Sequence, residues 1–308
     1  MKNLSFIDKV LYLINSILAM LLLLANLLPL ISPNTIPLFA ALSLFVPVLI
    51  ILNISFVVYW LIKLKKQFSL SFVVLIIGWF FLPPFYKISS KNSSFDSDLK
   101  LMSYNVKTFD LFTNKKDNNG FDFIKNTDPD VLVIQEYYES QKIKLSFPYQ
   151  YIKKKHATEK YGMAIYSKFK IINSGSFNLK RTGNNIIFAD IIKEKDTIRV
   201  YNLHLQSFRI NPNKENFGQE NSEKLLERVT NSLERQASQT VKFLEHEKKW
   251  KGKKIICGDF NNTAFSWVYN KISKNKKDTF IEAGKGFGKS YNYWFPMRID
   301  FILTDENA

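Results

Sequence analysis

Residues 254–261 read Lys254-Ile255-Ile256-Cys257-Gly258-Asp259-Phe260-Asn261, a short apolar run that ends in an Asp-x-Asn pair. A run of this kind predicts a buried strand, and glycine and asparagine after a strand are typical of a turn. A strand that delivers a carboxylate and an amide to its end is also a common way to build a metal-assisted phosphate site. The stretch alone leaves both interpretations open.

Four more polar residues stand within or at the end of β-rich apolar runs. They are Asn105 in the run 101–106, Glu136 in 131–136, His204 in 200–205 and Asp300 in 298–303. Burying such a group is costly unless it pairs with another group or binds an ion. Five positions of this kind favour one shared site over five separately satisfied core residues.

The order of these residues along the chain resembles that in the endonuclease/exonuclease/phosphatase superfamily. This superfamily includes nucleases, sphingomyelinases and inositol-phosphate phosphatases. The resemblance covers roughly residues 99–303, and its most specific segments are Gln135-Glu136, Gly258-Asp259-Phe260-Asn261 and Arg298-Ile299-Asp300. It implies an α/β fold, a four-layer α/β sandwich in which two mixed β-sheets are flanked by helices. The strand ends would then form a single catalytic site.

The resemblance also implies roles for the individual residues. Glu136 is the first candidate for a metal ligand, and Asn105 would orient that carboxylate or the waters of the metal. Asp259 and Asn261 would position the attacking water and a phosphate oxygen. His204 would donate a hydrogen bond or a proton to the phosphate, since histidine changes charge near physiological pH. Hard oxygen ligands favour Mg²⁺ or Mn²⁺ as the cofactor.

The sequence around Asp300 matches the family pattern, but the segment that should follow it differs. In the family this aspartate orients a histidine in a Ser-Asp-His segment, and that histidine serves as general base. The sequence ends at Ala308 without such a segment, and neither His156 nor His246 lies in one. We therefore expect a truncated domain that lacks its catalytic base and its last core strands. The alternative function is a catalytically inactive, membrane-tethered binder of anionic ligands.

A glycine-rich stretch, Ala283 to Ser290, satisfies a permissive P-loop pattern. A P-loop needs a strand before it and a helix after it, whose N-terminus binds the phosphates. Aromatic residues and Pro296 follow here, so a nucleotide-triphosphate site is not expected. A loop beside the active site fits better, in which Lys289 or Arg298 would contact the substrate phosphate.

The first 88 residues differ sharply in composition from the rest. They contain three long apolar runs, at about 10–31, 36–62 and 68–86. Each is near the roughly 20 residues that cross a bilayer, so we predict three transmembrane helices and an integral membrane protein. The polar, Ser-rich residues 89–98 predict a linker, and residues 99–308 would form the catalytic domain.

Lysine residues flank these runs unevenly. Lys2 and Lys9 precede the first run, and Lys63, Lys65 and Lys66 lie between the second and third. The positive-inside rule places these segments in the cytoplasm. Three spans then predict an extracytoplasmic catalytic domain in a bacterial inner or plasma membrane.

The whole chain has a net charge of +16, and residues 89–308 contain 37 Lys and Arg against 26 Asp and Glu. A basic domain at a membrane suits an anionic phosphoester substrate: nucleic acid, a phospholipid headgroup or a phosphorylated small molecule. The lipid bilayer is the other expected partner, and no protein partner is inferred. A single cysteine, Cys257, excludes a disulfide framework and a cysteine-based metal site.

Hydrophobic patterning predicts the elements of the catalytic domain. Strands are expected at about 99–106, 130–135, 149–153, 162–167, 185–192, 197–205, 254–258 and 299–303. One long helix is expected at about 221–248, because apolar residues recur there every three to four positions.

Overall fold

The computed structural model describes residues 4–88, 99–107, 119–139, 145–156, 158–210, 219–291 and 293–306. The predicted linker at 89–98 lies outside the described residues. The chain forms two compact units. The first comprises Met1–Tyr86, Ile210–Ser238 and Asn262–Ile272, and the second comprises Lys87–Arg209, Gln239–Asn261 and Ser273–Ala308.

The amino-terminal part of the first unit is helical. Its helices are α1 (Phe6–Ala25), α2 (Pro37–Ala41), a 3₁₀ turn (Leu42–Leu44), α3 (Val46–Ile62) and α4 (Phe68–Phe81). Helix α1 begins where the Ser5 hydroxyl accepts a hydrogen bond from the Asp8 backbone N–H at 3.2 Å, which satisfies one of the free donors of the first turn.

The prediction of three transmembrane helices was wrong in number. Among the described residues only α1 is by itself long and apolar enough to cross a membrane. The second run is bent by 59° between the 3₁₀ turn and α3, next to Pro47, which cannot donate a backbone hydrogen bond. Helix α4 has 14 residues and stops before Pro83, so it is about 21 Å long, shorter than the hydrocarbon core of a bilayer. The bent pair counts as at most one more span.

Polar side chains lie inside this helical part and large apolar ones lie outside. Ser71 Oγ is 2.9 Å from Asn15 Oδ1 and 2.7 Å from Asn53 Oδ1, and all three residues are fully buried. Trp79 and Phe80, by contrast, are more than three-quarters exposed. This distribution is the reverse of that in a water-soluble helix bundle.

The second unit contains two mixed β-sheets. The first has the order β1-β2-β4-β3, with only β1 and β2 parallel. Its strands are β1 (Leu101–Asn105), β2 (Val131–Tyr138), β3 (Tyr149–Lys154) and β4 (Tyr161–Ser167). The second has the order β5-β6-β7-β8-β10-β9, with only β7 and β8 parallel. Its strands are β5 (Ile171–Ser176), β6 (Asn185–Lys193), β7 (Asp196–His204), β8 (Lys253–Asp259), β9 (Lys276–Asp278) and β10 (Asp300–Asp305).

The remaining helices are α5 (Asn119–Thr127), α6 (Gln219–Glu247), α7 (Trp267–Ser273) and α8 (Thr279–Ala283). Ile124 of α5 packs against Leu132 and Ile134 of the first sheet. Phe243, near the end of α6, meets Tyr201 of the second sheet with ring centroids 5.1 Å apart. These contacts place helices on the outside of both sheets and confirm the predicted α/β fold of two mixed sheets flanked by helices.

Apolar side chains from both sheets fill the space between them. Val131 and Val133 of the first sheet pack in one buried cluster with Val200, Ile255 and Cys257 of the second. Strands buried in this way read as continuous apolar runs, which is why the central strands could be predicted. All eight predicted strands are present, including the less buried edge strand β3.

Among the elements that the structure describes, two strands and three short helices were not predicted. Strand β5 is half polar and half exposed, and β9 is only three residues long, Lys276 to Asp278. Both lie at sheet edges, where strands are often short or carry polar and charged residues, so no apolar run marks them in the sequence. Among the described residues, no helix follows the glycine-rich stretch after α8, and a helix at that place is what a P-loop requires.

Candidate active site

The space between the sheets changes from apolar to polar at one end. Along the inner face of β7, Ile198 and Val200 lie in the apolar cluster, and Asn202 and His204 follow at the next inward positions. The inward positions of four other strands, β1, β2, β8 and β10, change in the same way: Leu101 to Asn105, Val133 to Gln135, Cys257 to Asp259 and Ile302 to Asp300. The polar ends of five strands therefore meet at one edge of the two sheets.

Strand register places three of the predicted residues side by side. His204 pairs with Asp259 across the parallel β7–β8 ladder, and Asp259 pairs with Asp300 across the antiparallel β8–β10 ladder. Paired residues on neighbouring strands point to the same face and lie about 5 Å apart. Asp259 is consequently flanked by a histidine on one side and a second carboxylate on the other.

Glu136 reaches the site through a β-bulge. The β2–β4 register shifts between Ile134 and Tyr137, and Glu136 has φ +52°, a left-handed conformation that is uncommon for a residue other than glycine. The bulge breaks the alternation of the strand, so Gln135 stays fully buried while the Glu136 side chain is 40% exposed. Unusual backbone of this kind is concentrated at functional sites.

Asn105 joins the two sheets. Its Nδ2 donates to Glu136 Oε1 at 3.1 Å and to Asp259 Oδ2 at 3.0 Å. Its Oδ1 accepts a hydrogen bond from the Lys107 backbone N–H at 3.1 Å, which fixes which way the amide points. Asn105 thus holds the two carboxylates in one geometry, and its role in orienting a metal ligand or the waters of a metal stays a prediction.

The Gly258–Asn261 segment is both a turn and part of the site. Gly258 has φ +132°, and a Cβ there would lie 2.0 Å from the Leu203 carbonyl oxygen, so only glycine fits. The Asn261 backbone N–H donates to Asp259 Oδ1 at 2.7 Å, and Asn261 Nδ2 donates to the Leu205 carbonyl at 2.9 Å. Asn261 therefore fixes the Asp259 carboxylate and ties the turn to the end of β7.

His204 is buried with an unpaired ring nitrogen. Its side chain is 8% exposed, and Nε2 has no hydrogen-bond partner among the described residues. That nitrogen lies 3.8 Å from Glu136 Oε1. A buried polar atom without a partner is costly, and a bound ligand at this edge would provide one.

Burial and a neighbouring negative charge raise the pKa of two carboxylates of the site, Asp259 and Asp300. Burial is the main cause that raises the pKa of Asp300, and the neighbouring Asp259 raises it further. Burial also raises the pKa of Asp259, against the lowering effects of His204 and of the hydrogen bonds from Asn105 and the Asn261 backbone. No lysine or arginine is hydrogen-bonded to either carboxylate within the part of the chain that the structure describes.

This excess of negative charge fits a divalent cation. Among the described residues, no three His, Cys, Asp or Glu side chains are grouped so as to enclose a metal on their own. Mg²⁺ does not need such a cage, because it is usually held by one or two carboxylates together with waters and substrate phosphate oxygens. Glu136, with Asn105 beside it and its exposed carboxylate, matches that requirement.

The raised pKa of Asp300 implies that the free energy of unfolding of the metal-free protein depends on pH. The folded state binds the proton of this carboxyl more tightly than the unfolded state does, so the free energy of unfolding falls as pH rises from the ordinary carboxyl range through the raised pKa. Asp300→Asn should therefore stabilise the metal-free protein at about pH 8 by roughly 1 kcal/mol or more, and by much less near pH 4. Denaturant titrations at both pH values would measure this.

The matched control is Asp122→Asn, which removes an exposed carboxylate on α5. It should change the free energy of unfolding by no more than about 0.5 kcal/mol at either pH. Equal effects of the two substitutions would contradict the electrostatic strain inferred for Asp300.

Two supporting residues were missed from the sequence. Gln135 Nε2 donates to Asn202 Oδ1 at 2.7 Å, and Asn202 Nδ2 donates to the carbonyls of Ile134 and Ala164. This buried network crosses between the sheets directly below the site. The signal was present, since both are polar residues within apolar runs, like the five residues chosen.

Ser290 is a third residue that the sequence did not single out. Its hydroxyl oxygen accepts hydrogen bonds from the backbone N–H groups of Ile299 and Asp300, each at 3.0 Å. It therefore positions the start of β10, and with it Asp300, from the end of the glycine-rich loop. A lone serine after a glycine-rich stretch carries no sequence signal for this role.

The two predicted substrate contacts lie in different environments. Arg298 Nη1 donates to both carboxylate oxygens of Asp278, at 2.9 and 2.7 Å, and its side chain is 8% exposed. This buried ion pair gives Arg298 a structural role that the sequence did not predict. Lys289 is exposed in the loop that precedes Ser290.

Comparison with known proteins gives a family and a fold. A family profile described as Endonuclease/Exonuclease/phosphatase family matches residues 102–308. A second profile, described as a domain of unknown function (DUF8431), matches residues 8–85. No curated protein matches the sequence.

Solved structures of low sequence identity are similar to about two thirds of the chain. An endonuclease/exonuclease/phosphatase family protein from Leptotrichia buccalis has 19% identity and a TM-score of 0.44, covering 68% of this chain and 88% of that one. A humanized D. rerio TDP2 has 16% identity and a TM-score of 0.48, covering 69% and 86%. A 3′ phosphatase from Neisseria bound to a product DNA hairpin has 17% identity and a TM-score of 0.42, covering 68% and 88%.

Proposed function

The chain belongs to the endonuclease/exonuclease/phosphatase family, whose members are phosphoester hydrolases, and on that basis we propose that it is a divalent-metal-dependent phosphoesterase. It would hydrolyse a phosphodiester or phosphomonoester bond. The observation that carries the proposal is the pair of carboxylates, Glu136 and Asp259, held together by Asn105 where the apolar space between the sheets ends.

The proposed metal ligand is Glu136, with Asn105 as the residue that orients it. A bound Mg²⁺ or Mn²⁺ would screen the phosphate charge and stabilise the leaving oxygen. The chain itself would supply ligands held in a fixed position, because Asn105 on β1 donates a hydrogen bond to the Glu136 carboxylate on the neighbouring strand β2.

The remaining site residues suit in-line attack by water. Asp259, fixed by the Asn261 backbone N–H, would orient the water, and Asp300 beside it would accept its proton. A carboxylate whose pKa is raised by burial is a better proton acceptor than an exposed one. His204 Nε2, which has no partner among the described residues, would donate to a phosphate or leaving-group oxygen. The water oxygen then bonds to phosphorus as the ester bond breaks.

Hydrolysis of two generic substrates tests this proposal. The full chain in detergent should release nitrophenolate from bis(4-nitrophenyl) phosphate or 4-nitrophenyl phosphate when Mg²⁺ or Mn²⁺ is added. The release should stop with a chelator and return when metal is restored, since the donor set is of the oxygen type. Metal binding without hydrolysis of either substrate would favour the inactive binder.

We also propose that residues 1–88 anchor the enzyme in a lipid bilayer, with residues 89–98 as a linker to a catalytic domain at 99–308. Helix α1 supports this as a span of sufficient length. The buried Asn15, Asn53 and Ser71 and the exposed large apolar side chains add support, because polar contacts between helices and apolar outer surfaces are typical of membrane bundles.

The proposed orientation, with the amino terminus in the cytoplasm and the catalytic domain outside it, requires an odd number of spans. It can be tested with Lys195→Cys, a position exposed in the turn between β6 and β7. An impermeant maleimide should label this cysteine in intact cells.

The native thiol provides a clean background for this experiment. Cys257 is fully buried, and burial raises the pKa of its thiol, so the unmodified protein should remain unlabelled until it is denatured. Labelling of the Lys195→Cys variant only after cell lysis would contradict the proposed orientation.

A further inference from the structure

A cavity of about 560 Å³ lies beside the candidate active site in the second unit. Three separate segments line it: the end of β3 with the start of β4, the connection between β5 and β6, and Arg209 after β7. None of these segments contains a residue to which the sequence assigned a function.

The lining of the cavity is strongly cationic. Its basic side chains are Lys153, Lys154, Lys155, Lys180, Arg181 and Arg209, and none of the described lining residues is Asp or Glu. Lys154 forms an ion pair with Glu139, which does not line the cavity. So many like charges around one concave surface repel one another, and a bound polyanion would relieve that repulsion.

The walls of the cavity are held by their own hydrogen bonds. The Thr182 hydroxyl lies 3.0 Å from Asn184 Oδ1 and 2.9 Å from Gln206 Oε1, and it accepts a bond from the Asn184 backbone N–H. Arg181 and Arg209 both have positive φ, at 58° and 54°, a conformation that is uncommon for arginine. The surrounding structure therefore fixes the backbone at two of the six basic residues.

The cavity borders the catalytic residues on both sheets. On the second sheet, Asn185 of the lining is the direct partner of His204. On the first, Gly162 of the lining pairs with Tyr137, the residue after Glu136. Neighbouring strands are about 5 Å apart, so the cavity begins one strand away from the site on either side.

We propose that this cavity binds a second phosphate group of the substrate, so that the natural substrate carries two or more phosphate groups close together. The proposal rests on the proposed phosphoesterase function, because the first phosphate is the one placed at Glu136 and Asp259. Lysine and arginine bind phosphate through charge-assisted hydrogen bonds, which matches the side chains present.

The lining favours a compact polyphosphorylated group over a nucleic-acid strand. Surfaces that bind single strands combine basic residues with aromatic rings on which bases stack. No Phe, Tyr or Trp occurs among the described lining residues. A soluble phosphorylated compound and a lipid headgroup with several phosphates share the required chemistry.

Metal-free binding of tripolyphosphate to the full chain in detergent tests the proposal by calorimetry. The double variant Lys180→Gln with Arg181→Gln should bind at least about tenfold more weakly than the wild type, since each lost contact to a charged group weakens binding. A second double variant, Lys155→Gln with Arg209→Gln, changes the other walls and should show a similar loss. The control, Lys248→Gln with Lys249→Gln, removes the same charge from exposed positions near the end of α6 and should bind normally.

Equal binding by the cavity variants and the wild type would overturn the proposal, as would an equal loss in the control. Competition with inositol hexakisphosphate and with vesicles containing phosphatidylinositol bisphosphate separates a soluble source from a lipid one. A short single-stranded DNA that displaces tripolyphosphate more effectively than both would overturn the compact-substrate assignment. Because no turnover is measured, binding at the cavity without any nitrophenolate release would contradict the phosphoesterase function alone.

Discussion

Replacement of Glu136 by alanine is expected to lower kcat/KM for bis(4-nitrophenyl) phosphate by about a thousandfold, equivalent to about 4 kcal/mol of transition-state stabilisation. Glu136 is the exposed carboxylate of the site and accepts a hydrogen bond from Asn105. Its removal would take away the anionic ligand of the proposed metal. Initial rates measured over a series of Mg²⁺ concentrations would show the effect.

Two further variants distinguish the loss of the Glu136 charge from a loss of structure. Glu136→Gln keeps an oxygen that can accept from Asn105 Nδ2 but has no charge, so it should fold like the wild type and lose nearly as much activity as the alanine variant. Glu245→Ala removes an exposed carboxylate on α6 and should leave the rate unchanged. Activity of Glu136→Ala within tenfold of the wild type at saturating Mg²⁺ would show that Glu136 is not the metal ligand.

Arg298→Ala should lower the free energy of unfolding by about 3–5 kcal/mol. Arg298 pairs with buried Asp278 and lies between the rings of Phe280 and Phe301, with its guanidinium carbon 4.7 Å from each centroid. Asp278 also caps α8 by accepting from the Phe280 backbone N–H at 2.9 Å. The substitution would leave a buried charge without its main cationic partner and remove the packing of the arginine side chain.

Chemical denaturation of the full chain in detergent would measure this loss. The double variant Arg298→Met with Asp278→Asn removes both charges and keeps an acceptor for the cap, so it should be less destabilised than Arg298→Ala. Lys253→Ala breaks an ion pair with Asp196 in which both side chains are about half exposed, and it should cost no more than about 1 kcal/mol. An Arg298→Ala protein of wild-type stability with a raised KM would instead support the substrate contact predicted from the sequence.

Arg298 shows why the role of a basic residue near a motif is difficult to assign from the sequence. A lysine or arginine at the end of an apolar run has the same local sequence whether it contacts a ligand or a carboxylate of the protein. Asp278 is twenty residues earlier in the chain, and the β9–β10 ladder brings the two segments together.

The sequence by itself determined the central strands, the family resemblance and the group of residues at the strand ends. A buried strand requires a continuous apolar run, and a polar residue at its end is conspicuous because burying it is costly. For this reason Asn105, Glu136, His204, Asp259 and Asp300 could be chosen without a structure, and the structure brings them to one edge of the two sheets.

Only the tertiary structure decided how those residues are held and what surrounds them. The bulge at Glu136, the Gln135–Asn202 bridge and the basic cavity depend on strand register and on contacts between segments far apart in the chain. The number of helices long enough to cross a membrane also became clear only from the structure, which shows a bend after the 3₁₀ turn and an early end of α4. Proline interrupts backbone hydrogen bonding without making the sequence less apolar, so the apolar runs alone predicted three spans. The hydrophobicity of a segment indicates whether it is buried. Which other segments it packs against depends on strand register and on contacts between distant parts of the chain.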